Sequence, residues 1–126
     1  MILTTFKWNV HTQSRTANQL WLTEIVEDNP CRIHPRTAEN HGLEEGREFK
    51  IIRHDHHGNP LSIVVKPFIT ETIHPHVLAN SASFGHWQYG RTAKGMGYNS
   101  NQMISNGMDP VGGGQAWNDT VVTIGT

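Results

Sequence analysis

The chain has 126 residues, a formal net charge of −1 with its histidines neutral, and a single cysteine, Cys31. The length suits one domain that buries roughly two thirds of its unfolded surface. The charge gives no general attraction to nucleic acid or to an anionic membrane, and no apolar run reaches the ~20 residues of a membrane-spanning helix. We therefore expect neither nucleic acid nor membrane as a partner. One cysteine excludes an internal disulfide, a cysteine-ligated zinc site and an iron–sulfur cluster built from this chain alone.

The chain begins with a predicted strand. Residues 2–10 alternate with period two and are rich in β-branched and aromatic side chains. A polar segment, His11–Thr16, follows. Thr16 and Gln19 have the spacing of a helix capping box, and the apolar face of that helix would carry Ala17, Leu20, Trp21 and Ile25. We place Trp21 in the core. Polar residues at the amino terminus interrupt any signal-peptide core, and the cellular compartment stays open.

Five further strands are predicted from short apolar runs bounded by turn residues: Cys31–Ile33, Glu48–Arg53, Leu61–Val65, Ile73–Leu78 and Thr120–Ile124. Pro35 and Gly42 bracket a short helix over Arg36–His41. Strands at both ends of the chain favour a closed barrel in which the termini pair, because closure removes exposed sheet edges. The predicted fold is mainly β, a single domain with about six strands and short helices.

A long coil over residues 79–118 separates the last two strands. It contains eight glycines and five asparagines but only three formal charges. Disorder is disfavoured because disordered segments are charge-rich and poor in aromatic residues, whereas this coil carries Phe84, Trp87, Tyr89, Tyr98 and Trp117. Asparagine amides offer both donors and acceptors. We interpret the coil as an ordered segment folded over a flat, polar ligand or over a partner domain.

Several segments together resemble one family: HTQSRT at 11–16, CRIHPRTAENHGLEEGREFKI at 31–51, FGHW at 84–87, GYNSNQM at 97–103, and WNDTVV at 117–122. In this order they resemble the C-terminal domain of molybdopterin-dependent oxidoreductases of the dimethyl sulfoxide reductase family. Its tetrathionate, thiosulfate/polysulfide and arsenate reductase branches are the most similar. The resemblance extends from about Leu3 to Ile124.

The resemblance implies a double-psi β-barrel that binds a molybdopterin guanine dinucleotide with molybdenum or tungsten. It implies that cofactor contacts come from His11, Thr12, Gln13, Ser14, Arg15, Thr16, His86, Trp87, Asn99, Asn101 and Asn118. The residue types suit the cofactor, since a pterin has amide edges and a diphosphate accepts hydrogen bonds from hydroxyls, backbone N–H groups and arginine. The family's metal ligand lies on an upstream domain, so Cys31 is not that ligand. We expect an excised domain or small subunit that is inactive alone and works with the remaining domains of a catalytic subunit.

The residues leave two other interpretations open. The nine histidines include a cluster at a hairpin turn, His54, His56 and His57, which could make the chain a free-standing metal- or small-ligand-binding barrel. The coil could instead be a docking surface for a larger subunit. No pair of carboxylates suggests general acid–base catalysis. If the resemblance holds, the substrate of the whole enzyme is an inorganic oxyanion or a sulfur compound.

Overall fold

The computed structural model describes residues 1–88, 90–118 and 120–125, so Tyr89 lies outside the described residues. The strands in the described part are β1 (Ile2–Phe6), β2 (Cys31–Ile33), β3 (Phe49–His54), β4 (Pro60–Val65), β5 (Pro67–Ile69), β6 (Val77–Ser81), β7 (Thr120–Val121) and β8 (Thr123–Gly125). The helices there are α1 (Leu20–Thr23), α2 (Pro35–His41) and two 3₁₀ helices, Gln13–Thr16 and Ser100–Met103. The mainly β fold with short helices is confirmed. Within the described ranges, no helix has the length and apolar character to cross a bilayer.

The strands form two sheets, and the last two strands of the chain belong to different sheets. One sheet has the order β5-β2-β6-β1-β7, and the other has the order β4-β3-β8. Val122 lies between β7 and β8, where the chain passes from the first sheet to the second. The amino group of Met1 donates to the Val122 carbonyl at 3.0 Å, and the Val122 amide donates to the Met1 carbonyl at 3.0 Å. The two termini therefore lie side by side, as predicted for a closed barrel.

The hydrophobic core fills the space between the two sheets. Its buried members come from the first sheet, the second sheet, α2, the second 3₁₀ helix and the β7–β8 connection: Leu3, Cys31, Ile33, Leu78, Phe49, Ile51, Ile63, Val65, Ala38, Met103 and Val122. In β2 the two ends, Cys31 and Ile33, are fully buried while Arg32 between them is not. This alternation shows that one face of β2 points to the core and the other points away from it.

The prediction for residues 16–25 is wrong in three respects. The α-helix covers only Leu20–Thr23. Thr16 does not cap it, because its hydroxyl lies in the preceding loop and accepts a hydrogen bond from the Thr12 amide at 2.8 Å. Trp21, expected in the core, is 78% exposed. Of the predicted apolar face, Ala17 is buried as expected, whereas Leu20 and Ile25 are exposed together with Trp21.

Other boundaries moved for simple reasons. The first strand ends at Phe6, earlier than the alternation suggested, because residues 9–10 form a turn. Residues 73–76 precede β6, which begins at Val77 and continues to Ser81. β5 was not predicted, and the last predicted strand is divided at Val122. The short helix is confirmed, with Pro35 in its first turn and Gly42 closing it in the left-handed conformation at φ 61°.

Candidate functional site

Two polar segments start at the same edge of the first sheet. β1 and β6 are parallel, with Phe6 opposite Ser81 at their carboxyl ends. The His11–Thr16 loop follows β1 and the long coil follows β6. Because the two strands are parallel, both segments begin at the same edge of the sheet. The rings of His11 and Phe84 meet there edge to face, with centroids 5.3 Å apart. The sheet therefore brings together two segments that are about 70 residues apart in sequence.

The His11–Thr16 loop is held from inside by its first residue. His11 is 6% exposed. Its Nε2 donates to the Val26 carbonyl at 3.0 Å, and its Nδ1 lies 3.1 Å from the Thr16 hydroxyl. His11 and Thr16 thus hold the loop in shape, while Thr12, Gln13 and Arg15 have exposed side chains and Ser14 is half-buried. Gln13 adopts a positive φ of 52°, which places a non-glycine residue in the sparsely populated left-handed region at the start of the 3₁₀ helix.

Two asparagines that the sequence did not single out fasten the coil. The Asn18 Oδ1 accepts from the amides of Thr92 and Ala93 at 2.9 Å and 3.2 Å. Asn29 is completely buried and connects the end of β6 with Tyr98. Neither residue carried a distinguishing signal, because an asparagine next to a proline or in a polar loop is ordinary turn chemistry.

Close backbone approach joins the two halves of the coil. A Cβ placed on Gly85 would lie 2.3 Å from the Asn99 amide nitrogen, so only glycine allows this contact. Trp87, which is 74% exposed, and Asn99 line one cleft of about 430 Å³. His86 is anchored in the coil: its Nε2 lies 3.2 Å from the Ser83 carbonyl, and its own carbonyl accepts from the Gly95 amide at 2.8 Å. The FGHW and GYNS segments therefore form one surface.

The remaining predicted side chains extend this surface. The Asn99 Oδ1 accepts from the Asn101 amide at 3.1 Å and caps the second 3₁₀ helix, on which Asn101 is exposed. The Asn118 Oδ1 accepts from the Thr4 hydroxyl at 3.0 Å, which places Asn118 beside β1, the strand that leads into the His11–Thr16 loop. Asn118 itself is exposed.

Buried polar atoms without partners collect at the same sheet edge. Asn80 and Ser81 are the last two residues of β6, and both are fully buried. Both amide atoms of Asn80 and the Ser81 hydroxyl have no hydrogen-bond partner in the described chain. Buried polar groups are normally paired, so such a cluster indicates that this edge is completed by atoms from elsewhere. A ligand rich in amide and phosphate oxygens fits this donor and acceptor set.

The histidine-rich hairpin has a different character. Its tip borders a cavity of about 720 Å³ with Arg53, His54 and His56 in the lining. Asp55, also at this tip, accepts from the backbone and side-chain amides of Asn59 and from the backbone amide of His57, and these hydrogen bonds lower the pKa of its carboxyl. Across residues 1–88, 90–118 and 120–125, no group of three or more His, Cys, Asp or Glu side chains is arranged to hold a metal ion.

Comparison with known proteins decides the family. The sequence matches the family described as "Molydopterin dinucleotide binding domain" over residues 1–121. The chain belongs to the molybdopterin dinucleotide-binding domain family. This membership confirms that the domain binds the expected cofactor, a molybdopterin guanine dinucleotide. The particular reductase branch is not distinguished by the match.

A solved structure has the same fold as this molybdopterin dinucleotide-binding domain. Acetylene hydratase from Pelobacter acetylenicus superimposes with a TM-score of 0.76 at 17% sequence identity, over 99% of this chain. The chain corresponds to only 18% of the length of that protein. No curated protein sequence matches the chain. The likeness confirms the predicted β-barrel fold.

Proposed function

We propose that the His11–Thr16 loop and the coil over residues 82–118 together hold one side of the molybdopterin guanine dinucleotide. The observation that carries this proposal is the parallel pairing of β1 and β6, which sets both segments against each other at the His11–Phe84 contact. When bound, the cofactor supplies the redox chemistry. The residues of this chain bind and orient it.

The two segments offer different chemistry. In the loop, Thr12, Ser14 and Arg15 supply hydroxyls and a guanidinium, the donors that phosphate oxygens accept best. In the coil, Asn99 and Asn101 supply amides that match the amide edges of a pterin ring. Asn118 does the same from the side of β1. Trp87 lines the cleft that Asn99 shares, and His86 directly precedes Trp87 in the chain. We place the pterin end of the cofactor there.

The larger protein is a further part of the proposal. We infer that the chain is the C-terminal domain of a molybdenum- or tungsten-dependent oxidoreductase acting on an inorganic oxyanion or a sulfur compound. Its partners would be the remaining domains of the catalytic subunit. Leu20, Trp21 and Ile25, which are 58%, 78% and 68% exposed, support such a contact. Large apolar side chains gathered on one short segment usually mark an interaction surface.

The test is the cofactor content of the full-length protein. Arg15→Ala, Asn101→Ala and Asn118→Ala are combined, and the pterin and guanine nucleotide released on denaturation are measured per protein molecule. The control combines Arg36→Ala and Asn40→Ala, because both residues are exposed on α2. We expect the triple variant to lose most of its cofactor and the control to keep it. Full cofactor content in the folded triple variant would mean that these segments are docking surfaces only.

A further inference from the structure

Arg32 lies on the outer face of the first sheet. Its neighbours in β2, Cys31 and Ile33, are fully buried and point to the core. Arg32 is paired with Ala79 of β6, which is paired in turn with Thr4 of β1. Residues paired across strands share a face, so the Arg32 side chain leaves the sheet on the Thr4 side. Phe6, two residues after Thr4, belongs to the same face.

Two aromatic rings hold the Arg32 guanidinium. Its Cζ lies 4.6 Å from the centroid of the Phe6 ring and 4.6 Å from that of the Trp8 ring. The two rings meet each other edge to face at 5.3 Å. Cation–π contact of this kind fixes the position of a guanidinium without neutralising it. The Trp8 carbonyl accepts a hydrogen bond from the His11 amide at 3.2 Å, so the held cation sits directly before the His11–Thr16 loop.

This cation has no counter-charge in the described chain. The ion pair found among the described residues joins Lys66 and Asp28, and Arg32 is not part of it. The Arg32 Nε is buried without a hydrogen-bond partner, and so are the Trp8 indole nitrogen and the Ser81 hydroxyl. Phe6 is opposite Ser81 in the strand register, so Ser81 lies on the same face of the sheet as Phe6 and Arg32. Buried unpaired donors are costly, and an acceptor with several oxygens would pair them together.

We propose that Arg32 binds a phosphate group of the dinucleotide, as a second cation beside the loop that carries Arg15. This inference rests on the proposed function. It adds to the cofactor-binding residues one that lies outside the His11–Thr16 loop and outside the coil. A guanidinium matches a phosphate through a planar pair of N–H donors, which a lysine cannot reproduce. Phe6 and Trp8 act as positioning residues, because they orient the guanidinium before the anion arrives.

The experiment compares Arg32→Met, Arg32→Lys and a matched control, Arg36→Met, in the full-length protein. Arg36 is an exposed arginine on α2, four residues away in sequence. The readout is the rate at which pterin and guanine nucleotide leave the folded protein during dialysis at increasing KCl concentration. Loss of a charge-assisted hydrogen-bonded pair should accelerate release by roughly ten- to a hundredfold in Arg32→Met. Arg32→Lys should release faster than the unmodified protein, and Arg36→Met should match it.

Salt dependence identifies the interaction as electrostatic. Release from the unmodified protein should accelerate with KCl, and this dependence should be weaker in Arg32→Met because one phosphate contact is already missing. If Arg32→Met does not fold, Arg32→Lys provides the test, since lysine keeps the positive charge and a side chain of similar length. Unchanged release in the folded Lys variant would then overturn the inference.

The outcomes separate this inference from the proposed function. If the Arg15, Asn101 and Asn118 triple variant loses cofactor while Arg32→Met releases it at the normal rate, the role of Arg32 is wrong and the function stands. If both keep their cofactor normally, both proposals fail. If Arg32→Met keeps its cofactor but becomes sensitive to proteolysis between domains, Arg32 pairs with a carboxylate of the larger protein, and the inference is overturned.

Discussion

The side chain of Asn29 and the peptide backbone of Tyr98 form a reciprocal hydrogen-bonded pair. The Asn29 Oδ1 accepts from the Tyr98 amide at 2.7 Å, and the Asn29 Nδ2 donates to the Tyr98 carbonyl at 2.8 Å. The same Nδ2 donates to the Ser81 carbonyl at 2.7 Å. One buried amide therefore fixes the coil to the end of β6, beside the edge where the cofactor-binding segments meet.

Asn29→Ala should release the coil from the sheet. It leaves one amide and two carbonyls unpaired in a buried place, and the cost should be about 3 kcal/mol or more. Hydrogen–deuterium exchange should become faster in peptides covering residues 95–103. Asn40→Ala, an exposed asparagine on α2, is the control and should leave exchange unchanged. Protection of residues 95–103 equal to that of the unmodified protein would contradict the role of Asn29.

Gly85 and Gly46 provide a matched pair of substitutions. Both have a φ of 81°, but a Cβ on Gly46 meets nothing within 4 Å whereas one on Gly85 would lie 2.3 Å from the Asn99 nitrogen. Gly46→Ala should cost about 1–2 kcal/mol from the left-handed conformation alone. Gly85→Ala should lower the stability clearly more and reduce the cofactor content, because the Asn99 backbone cannot move aside easily. The measurement is the midpoint of thermal unfolding, and equal midpoints for the two variants would show that the close approach has no energetic weight.

The Cys31 thiol should be unreactive in the folded protein. Burial raises its pKa to about 12, against a small opposing effect of the hydrogen bond with the Ala79 backbone. The thiolate is the nucleophile, so alkylation by iodoacetamide at pH 8 should occur only after unfolding in urea. Because the pKa is higher in the folded state, this group's contribution to stability is present below pH 9 and lost as the pH rises toward 12. Rapid alkylation of Cys31 without denaturant would contradict its burial.

Trp21 should be shielded in the full-length protein. In this chain it is 78% exposed, together with Leu20 and Ile25. If other domains cover this surface, hydroxyl-radical oxidation of Trp21 should be slow in the intact holoenzyme. Ile25→Glu places a second charge on this surface, next to the exposed Glu24. The variant should disrupt the contact with other domains and raise Trp21 oxidation. Oxidation of Trp21 as fast as that of a free tryptophan in the unmodified holoenzyme would show that nothing docks there.

Local patterns predicted those parts of the fold that local physics determines. Pro35 and Gly42 bound α2 because each has a backbone preference that needs no tertiary partner. The hairpin between β3 and β4 likewise depends on its own turn, where Asp55 accepts from the Asn59 amide at 2.8 Å. Residues 16–25 failed for the opposite reason. Their helical period predicts a buried face, but of its four members only Ala17 is buried within the described chain.

The candidate site divides in the same way. Exposed amides such as Asn101 and the hydroxyls of the His11–Thr16 loop were singled out by residue type and by the family resemblance, and their contacts with the cofactor remain predictions. Asn29 and Asn18 could not be found, since their role depends on which backbone groups the fold places beside them. Arg32 was also invisible in the sequence, because one aromatic neighbour belongs to another strand and the other to the short segment that follows that strand.

The most direct measurement is an experimental structure of the full-length holoenzyme with its dinucleotide bound. The account predicts hydrogen bonds of about 2.7–3.2 Å from the His11–Thr16 loop to phosphate oxygens. It predicts similar contacts from Asn99, Asn101 or Asn118 to the pterin edges, and an Arg32 guanidinium facing a phosphate. A cofactor bound on another face of the domain, with no contact to the loop or the coil, would contradict the account.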